Sequence, residues 1–327
     1  MKNLFVFSDE MAKTIEDQKK RLHLNIGADP EWAIARKNPV NGEYELDDAR
    51  AFLIDNGILD TVDEDEEEDD AGLTSQIGHD GHTSVGEFRP TPSWANGTEN
   101  LKDNISTLIK QLPKYDLVQY MTGPHYKDEP LGGHLHISGD DLFNIEFSSY
   151  KNCQYHVNYD AGVRGASCLT ATLDSYLIPL LYCVYRRLDT VKRYSIGYGH
   201  PGSWRKQGKN YIEYRTLPSW LSTPYLVGII EILSRRITTL WRTEPDFYHK
   251  FTPDGAPGLS YSDYLCNITN ITRGISQTNF VKKLVLNNLS LLDNYPTICT
   301  SLKKFIEAPP FLRGRMSVID LDAWGRQ

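Results

Sequence analysis

The stretch GADPEWAI (residues 27–34) has the character of a β-strand, because small and apolar residues alternate in it and Trp32 and Ile34 favour strands. Asp29 and Glu31 lie two positions apart, and side chains two apart on a strand project from the same face. Adjacent carboxylates repel each other, and a buried pair is costly unless a cation neutralises it. The stretch therefore predicts a strand whose polar face binds cations.

The same spacing of polar residues recurs in three further strand-like stretches, IGHDGHTSVGEFRP (77–90), GGHLHISGDDL (132–142) and KNYIEYRTLPSW (209–220). The pairs are Glu87 and Arg89, His134 and His136, and Glu213 and Arg215. A strand face that packs against a core would carry Val, Ile and Leu instead. If the four strands are neighbours, one sheet face presents these pairs together with Asp80. Carboxylates and imidazoles bind divalent cations, and guanidinium groups bind phosphate or carboxylate.

Each pair alone has an ordinary structural explanation. A histidine pair of this spacing is often structural or exposed, and a Glu-x-Arg pair on a strand is often a cross-strand salt bridge. The loop GYGHPGSWRKQGKN (197–210) is basic and glycine-rich, so Arg205 and Lys206 either reach a nucleotide or lie on an exposed hairpin. Only the conjunction of the four pairs favours a binding site.

Composition limits the possible functions. The chain has 327 residues, 40% of them hydrophobic and 24% charged, as in globular proteins. The run DEDEEEDD (63–70) accounts for the net charge of −8, so the remainder is neutral and no nucleic-acid partner is expected. Such a run is typical of a solvated loop, or of a tail that docks basic partners. Five scattered cysteines, no signal peptide and no membrane-length apolar run predict a cytoplasmic protein with reduced thiols and no membrane partner.

Periodicity predicts an α+β fold, with strands in the centre of the chain and helices in the last third. We expect an N-terminal helical segment at 1–22, a sheet region at 23–223 with an acidic insertion at 38–76, and a mainly helical region at 224–327 within the same domain. Thr98 is the expected N-cap of a helix over 98–112. Further helices are predicted at 8–22, 167–192, 224–242, 277–294 and 297–307.

These motifs, in this order, resemble the glutamine synthetase-like superfamily of carboxylate–amine ligases, and most of all the phage-type COOH–NH2 ligase family, type 2. DPEW resembles its acid-x-Glu-aromatic strand, GGHLHIS its Gly-x-His-x-His-x-Ser strand, and IEYRTLPSWLSTPYL its closing Glu-x-Arg strand and helix start. The resemblance spans residues 27 to about 226. It implies a curved, mainly antiparallel sheet that carries the site on its concave face and is backed by helices.

The resemblance also implies roles for individual residues, with two or three Mg2+ or Mn2+ ions and ATP as co-substrate. Asp29, His134 and Glu213 match ligands of the metal that holds the ATP phosphates. Glu31 and Glu87 match ligands of the metal nearer the acceptor, and Asp80 falls near another family acid. Arg215 would neutralise the transferred phosphoryl group with help from Arg205, whereas Lys206 and His136 would contact phosphate or substrate.

The implied reaction is amide formation through an acyl phosphate, in the cytoplasm of a host cell if a phage encodes the chain. Asp29 replaces the usual Glu, and no loop for free ammonia is recognisable, so a larger amine is expected. The substrates are a carboxylate and an amine, as small molecules, peptides or proteins, and homo-oligomers are possible in such a family. Two alternatives stay open, a metal-dependent hydrolase and a non-catalytic relative with a binding or structural role.

Overall fold

The structure is a computed structural model that describes residues 6–60, 75–140, 142–143, 161–185, 189, 192–193, 195–244, 289–292, 294–307 and 316–325. The acidic run at 63–70 and most of the helix predicted at 277–294 lie outside these residues. Leu289–Leu292, at the end of that predicted helix, form a 3-10 turn.

Eight of the ten described strands form one antiparallel sheet. Its strands are β1 (Leu24–Lys37), β2 (Tyr44–Asp47), β3 (Ile77–Asp80), β4 (His82–Phe88), β5 (Val118–Met121), β8 (Gly133–Gly139), β9 (Trp204–Gly208) and β10 (Tyr211–Tyr214). The main order is β3-β4-β1-β8-β10-β9, and β2 and β5 pair with the far end of β1. The short strands β6 (His125–Tyr126) and β7 (Glu129–Pro130) form a separate hairpin. The long strand β1 is therefore the centre of the fold.

The described helices lie in the N-terminal segment, between the strands and in the last third of the chain. They are α1 (Asp9–Leu22), α2 (Ala49–Asp55), α3 (Leu101–Ile109), α4 (Ala161–Val184), α5 (Pro224–Thr243), α6 (Pro296–Glu307) and α7 (Leu321–Gly325). Helix α5 contacts α1, α3, α4 and β1, and Thr223 caps its first turn. Among the described residues, no helix combines the length and apolar character that crossing a membrane requires.

Alternation along β1 separates the hydrophobic core from a polar face. Ile26, Trp32 and Ile34 are fully buried in the main core, together with side chains of the helices. The intervening positions, including Asp29 and Glu31, project from the other face because successive strand residues alternate. The predicted α+β class, with a mainly antiparallel sheet backed by helices, is confirmed.

Two local predictions were wrong in detail. The N-cap of α3 is Asn100 rather than Thr98, and its side-chain oxygen accepts from the backbone N–H of Asp103. The basic segment 197–210 is not only a loop, because strand β9 occupies Trp204–Gly208 within it. Its pairing with β10 along the outer side of the sheet accounts for the strand, and residue composition did not predict that pairing.

Gly133 lets β8 begin close against the segment that follows β10. A Cβ on this residue would lie 2.4 Å from the carbonyl oxygen of Pro218 and 2.4 Å from the indole of Trp220. The indole N–H of Trp220 donates to the Gly133 carbonyl at 2.9 Å. Because Gly133 has no side chain, β8 can approach Pro218 and Trp220 closely, and this approach positions the next residue, His134.

Candidate metal and nucleotide site

Strand register brings the four sequence pairs to one face of the sheet. Glu31 of β1 pairs with Glu87 of β4, and Asp29 pairs with His134 of β8. Across β8 and β10, His136 pairs with Glu213. Directly opposed residues of antiparallel strands point to the same side, so these side chains form a continuous polar surface. The shared polar face that was expected if the four strands are neighbours is observed.

Glu31, Glu87 and His134 form a buried cluster in which one potential ligand atom from each lies within 4.8 Å of the others. Glu31 Oε2 accepts from the backbone N–H of Gly132 at 2.6 Å. His134 Nε2 lies 3.6 Å from Glu31 Oε1, and Nδ1 lies 3.5 Å from Glu213 Oε1. The histidine thus stands between two carboxylates that the sequence assigned to different ions.

Asp29 and His136 form a second group beside this cluster. His136 Nε2 lies 2.5 Å from Asp29 Oδ2, and Nδ1 lies 2.5 Å from the hydroxyl of Tyr211. Asp29 Oδ2 accepts from Nε2–H, and Nδ1 shares a second hydrogen bond with the hydroxyl of Tyr211. The structure groups His134 with Glu31 and Glu87, and pairs Asp29 with His136.

Nitrogen atoms of three side chains surround the Glu213 carboxylate. Arg205 places Nε and Nη2 each 2.6 Å from Glu213 Oε2, and Gln207 Nε2 donates to the same oxygen at 2.6 Å. Arg215 Nε lies 3.5 Å from Oε1. The Glu213 carboxylate is 1% exposed, whereas the side chains of Arg205 and Arg215 are 58% and 29% exposed. Both guanidinium groups can therefore face a ligand in solution.

Asp80 and Arg89 border the cluster at Glu87. Arg89 contacts Glu87 Oε2 through a guanidinium nitrogen and donates to the carbonyls of Ser75 and His79. Asp80 ends β3 and is half-buried, and its charge helps to raise the pKa of both Glu31 and Glu87. The predicted acid at position 80 is therefore near the cluster.

Lys206 is the one predicted site residue that the structure does not bring to this face. It pairs with Ile212, whose side chain lies in the main core, whereas its neighbour Arg205 pairs with Glu213. Adjacent strand residues point to opposite sides of a sheet. Lys206 therefore lies on the exposed opposite side of β9.

Three polar contacts of the site involve residues that the sequence did not assign to it. Gln207 and Tyr211 each lie two residues from an assigned side chain, so the i, i+2 rule applied to β9 and β10 would have found them. Tyr198 lies in the glycine-rich segment 197–210, outside the four strand pairs. Its hydroxyl donates to Glu31 Oε1 at 2.5 Å, and only tertiary structure brings the two together.

Burial changes the acid–base properties of the cluster. Desolvation, together with the charge of Asp80, raises the pKa of Glu31 to about 8. Desolvation also raises the pKa of Glu87 to about 9, against the opposing effect of Arg89. The pKa of His134 is lowered well below 6.5, first by burial and then by the charge of Arg215. At neutral pH both glutamates hold protons and the imidazole is neutral.

Between about pH 7 and pH 9 we expect the free energy of unfolding of the metal-free protein to fall as pH rises. The unfolded chain has already lost both protons there, because the ordinary Glu pKa is 4.5, whereas folded Glu31 and Glu87 retain them up to about 8 and 9. Each proton held only by the folded state lowers stability by about 1.4 kcal/mol per pH unit. Urea denaturation with a chelator present measures this slope.

The window starts near neutrality because His134, neutral when folded, contributes in the opposite direction below its ordinary pKa of 6.5. The control is the double variant Glu31→Gln/Glu87→Gln, which should show a flatter dependence. Equal slopes in the two proteins would contradict the assignment.

The side chains of the cluster fit a divalent cation. Two carboxylates and one imidazole are oxygen and nitrogen donors that Mg2+ and Mn2+ accept, and two buried glutamates that hold protons at neutral pH would exchange them for such an ion. Glu213 and Asp29 extend the donor set along the same face.

Residues 144–241 match the phage phiEco32-like COOH.NH2 ligase-type 2 family. The match covers less than a third of the chain and includes Arg205, Glu213 and Arg215, but not the strands that carry Asp29 and His134. The resemblance seen in the strand motifs is thus confirmed for this segment. No curated protein matches the sequence.

The chain also matches solved structures at low sequence identity. GmaS without ligand is 12% identical, with a TM-score of 0.47 over 93% of this chain and 75% of that one. A glutamine synthase homolog is 12% identical, with a TM-score of 0.45 over 97% and 74%. A bifunctional glutathione synthetase from Pasteurella multocida is 11% identical, with a TM-score of 0.41 over 98% and 50%.

Proposed function

We propose that the protein is an ATP-dependent carboxylate–amine ligase that forms an amide bond through an acyl phosphate. The observation that carries the proposal is the buried Glu31–Glu87–His134 cluster, which shares one sheet face with Glu213 and the partly exposed Arg215. The match of residues 144–241 to a COOH–NH2 ligase family supports the type of reaction. Bound divalent cations would neutralise phosphate charge and polarise the phosphoryl group.

Different residues along the sheet would hold different cations. Glu31, Glu87 and His134, with Asp80 beside them, would hold one cation, and Glu213 with Asp29 would hold another near the ATP phosphates. In the present arrangement Arg205 neutralises Glu213. Because its side chain is more than half exposed, it can turn from Glu213 to a phosphate when a cation takes its place.

The reaction must bring together two anions, the substrate carboxylate and the γ-phosphate of ATP. In the first step an oxygen of the substrate carboxylate forms a bond to the γ-phosphorus of ATP, and the bond to the leaving oxygen of ADP breaks. In the second step the amine nitrogen attacks the acyl carbon, phosphate leaves, and the nitrogen loses a proton. Arg215 and Arg205 would stabilise the negative charge of the transferring group. His136, oriented by Asp29 and Tyr211, would donate Nε2–H to a phosphate oxygen once Asp29 binds a cation.

The partners proposed for this site are ATP, a carboxylate and an amine larger than ammonia. Their reaction requires that the negative charges of ATP and the carboxylate be screened before a bond forms. The arginines of this face, and cations held by its acids, can screen those charges. The three-part organisation at 1–22, 23–223 and 224–327 is proposed as one catalytic unit, since α5 packs against both α1 and β1.

Binding of a non-hydrolysable ATP analogue, measured calorimetrically with and without Mg2+, tests the proposal without knowledge of the other substrates. We expect Mg2+-dependent binding to the wild type and a loss of at least about tenfold in affinity for Glu213→Ala, because the variant lacks a cation ligand. Glu45→Ala is the matched control, since Glu45 is an exposed glutamate of β2 whose side chain accepts from Asn38.

Two results would contradict the proposal. Binding that does not depend on Mg2+, or an analogue affinity that is equal in Glu213→Ala and Glu45→Ala, would show that Glu213 takes no part in nucleotide binding. Hydrolysis of a substrate without any nucleotide would indicate the metal-dependent hydrolase instead.

A further inference from the structure

Tyr198 lies directly over the proposed cation cluster. Its hydroxyl donates to Glu31 Oε1 at 2.5 Å and lies 3.1 Å from His134 Nε2. It therefore contacts two of the three clustered side chains at the atoms that would bind a cation. A single hydroxyl in this position determines the separation and the direction of both groups.

The ring of Tyr198 is held in turn by Arg193. The guanidinium carbon of Arg193 lies 5.1 Å from the ring centroid, the geometry of a cation–π contact. Arg193 is fully buried, and it donates hydrogen bonds to four backbone carbonyls. These carbonyls belong to Leu131, Gly199, Thr216 and Leu217.

Those carbonyls lie in three segments that carry site residues. Leu131 precedes the strand of His134, Gly199 follows Tyr198, and Thr216 follows the strand of Glu213. A guanidinium group offers five donors in a fixed plane, so it can hold several segments in one arrangement, whereas a lysine ammonium cannot reproduce that plane. Arg193 thus joins the ends of two strands to the loop that presents the tyrosine.

Gly199 is adapted to this arrangement. Its backbone is left-handed with φ of +61°, and a Cβ there would lie 2.1 Å from the terminal nitrogens of Arg193. A side chain at this position would both strain the backbone and displace the guanidinium group. The backbone of the loop at Gly199 therefore lies too close to Arg193 for a residue with a side chain.

We propose that Tyr198 is a positioning residue of the cation site, which orients Glu31 and His134 through its hydroxyl, and that Arg193 acts on cation binding by placing Tyr198. This inference rests on the proposed cation site. Partners that orient metal ligands from the second layer typically change metal affinity by 10- to 100-fold. Neither residue follows from the strand motifs, because both lie outside the strands.

The first test is the affinity of the full chain for Mn2+ alone, measured by the loss of the free-ion signal in electron paramagnetic resonance. Tyr198→Phe keeps the ring and the cation–π contact but removes the hydroxyl, so we expect affinity to fall about tenfold with little change in thermal stability. The matched control is Tyr120→Phe, because the buried Tyr120 bonds through its hydroxyl to the Pro113 carbonyl, away from the cluster.

The second test asks whether Arg193 acts through Tyr198. Arg193→Lys should weaken Mn2+ binding at least about tenfold in the wild type, but less than about threefold in a Tyr198→Phe background, since the hydroxyl is already absent. Arg242→Lys is the control for an arginine-to-lysine exchange away from the cluster, since Arg242 donates to the carbonyl of Asp140. If Arg193→Lys does not fold, the Tyr198→Phe measurement decides the proposal for the hydroxyl by itself.

The outcomes separate this inference from the proposed function. Wild-type binding of Mn2+ with equal affinity in Tyr198→Phe overturns the role of Tyr198 and leaves the cation site standing. Fully additive losses in the double variant overturn the route from Arg193 through Tyr198. If the wild type binds no Mn2+ at all, both the cation site and this inference are overturned.

Discussion

Glu31→Gln should remove divalent-cation binding while leaving the metal-free protein at least as stable as the wild type. Glutamine preserves the shape of the side chain and can still accept from the Gly132 N–H, but it supplies no charge to a cation. Burial raises the pKa of Glu31 to about 8, so the wild-type carboxyl is already mostly protonated at neutral pH. The substitution therefore costs no favourable charge interaction in the metal-free fold.

We expect Mn2+ affinity to fall at least about 100-fold, since a charged ligand is lost outright. Above about pH 8 the variant should be more stable than the wild type, because it has no buried carboxyl to ionise. Calorimetric titration with Mn2+ and urea denaturation in chelator measure the two quantities, with the exposed Glu45→Gln as control. Retained affinity, or a marked loss of stability at neutral pH, would contradict the assignment of Glu31.

The second large effect concerns stability rather than binding. Arg235→Ala should lower the free energy of unfolding by about 3–5 kcal/mol, the range seen when one partner of a buried ion pair is removed. Arg235 and Glu231 are both fully buried and paired at 3.1 Å. Arg235 also donates to the carbonyls of Leu24 and Ser93, so the variant leaves these acceptors without this donor.

The surrounding contacts allow the charge to be separated from the hydrogen bonds. Glu231 Oε2 accepts from the backbone N–H of Leu101 at the start of α3. In an Arg235→Ala background, Glu231→Gln keeps that acceptor and removes the unpaired charge, so it should recover about 1–2 kcal/mol. Denaturant unfolding measures each difference. Arg242→Ala, in the last turn of the same helix, should change stability by less than about 0.5 kcal/mol.

A loss below about 1 kcal/mol for Arg235→Ala would show that the pair does not anchor β1. The expected anchoring matters for the site because Leu24 begins the strand that carries Asp29 and Glu31. A displaced start of β1 would shift the register of both carboxylates against His134. Cation affinity measured in the folded fraction of this variant links the two predictions.

Spacing in the sequence was sufficient to predict most of the polar face. A period of two is a direct consequence of strand geometry, so Asp29 with Glu31 and His134 with His136 had to share a face wherever their strands lay. The helix predicted at 224–242 likewise matches α5, and the structure shows that Thr223 caps its first turn. The roles assigned to these side chains stay predictions until a cation or nucleotide is bound.

Local backbone geometry decides which side chains share a strand face, so the amino-acid sequence alone specifies that arrangement. Tertiary structure alone decided which strands are neighbours, that β9 extends the sheet, and that Lys206 turns away from the site. It also decided that His134 lies between Glu31 and Glu213, and that Tyr198, packed against Arg193, reaches the cluster from a loop. These contacts join residues distant along the chain, and long-range packing sets them without leaving a periodic signal in the sequence.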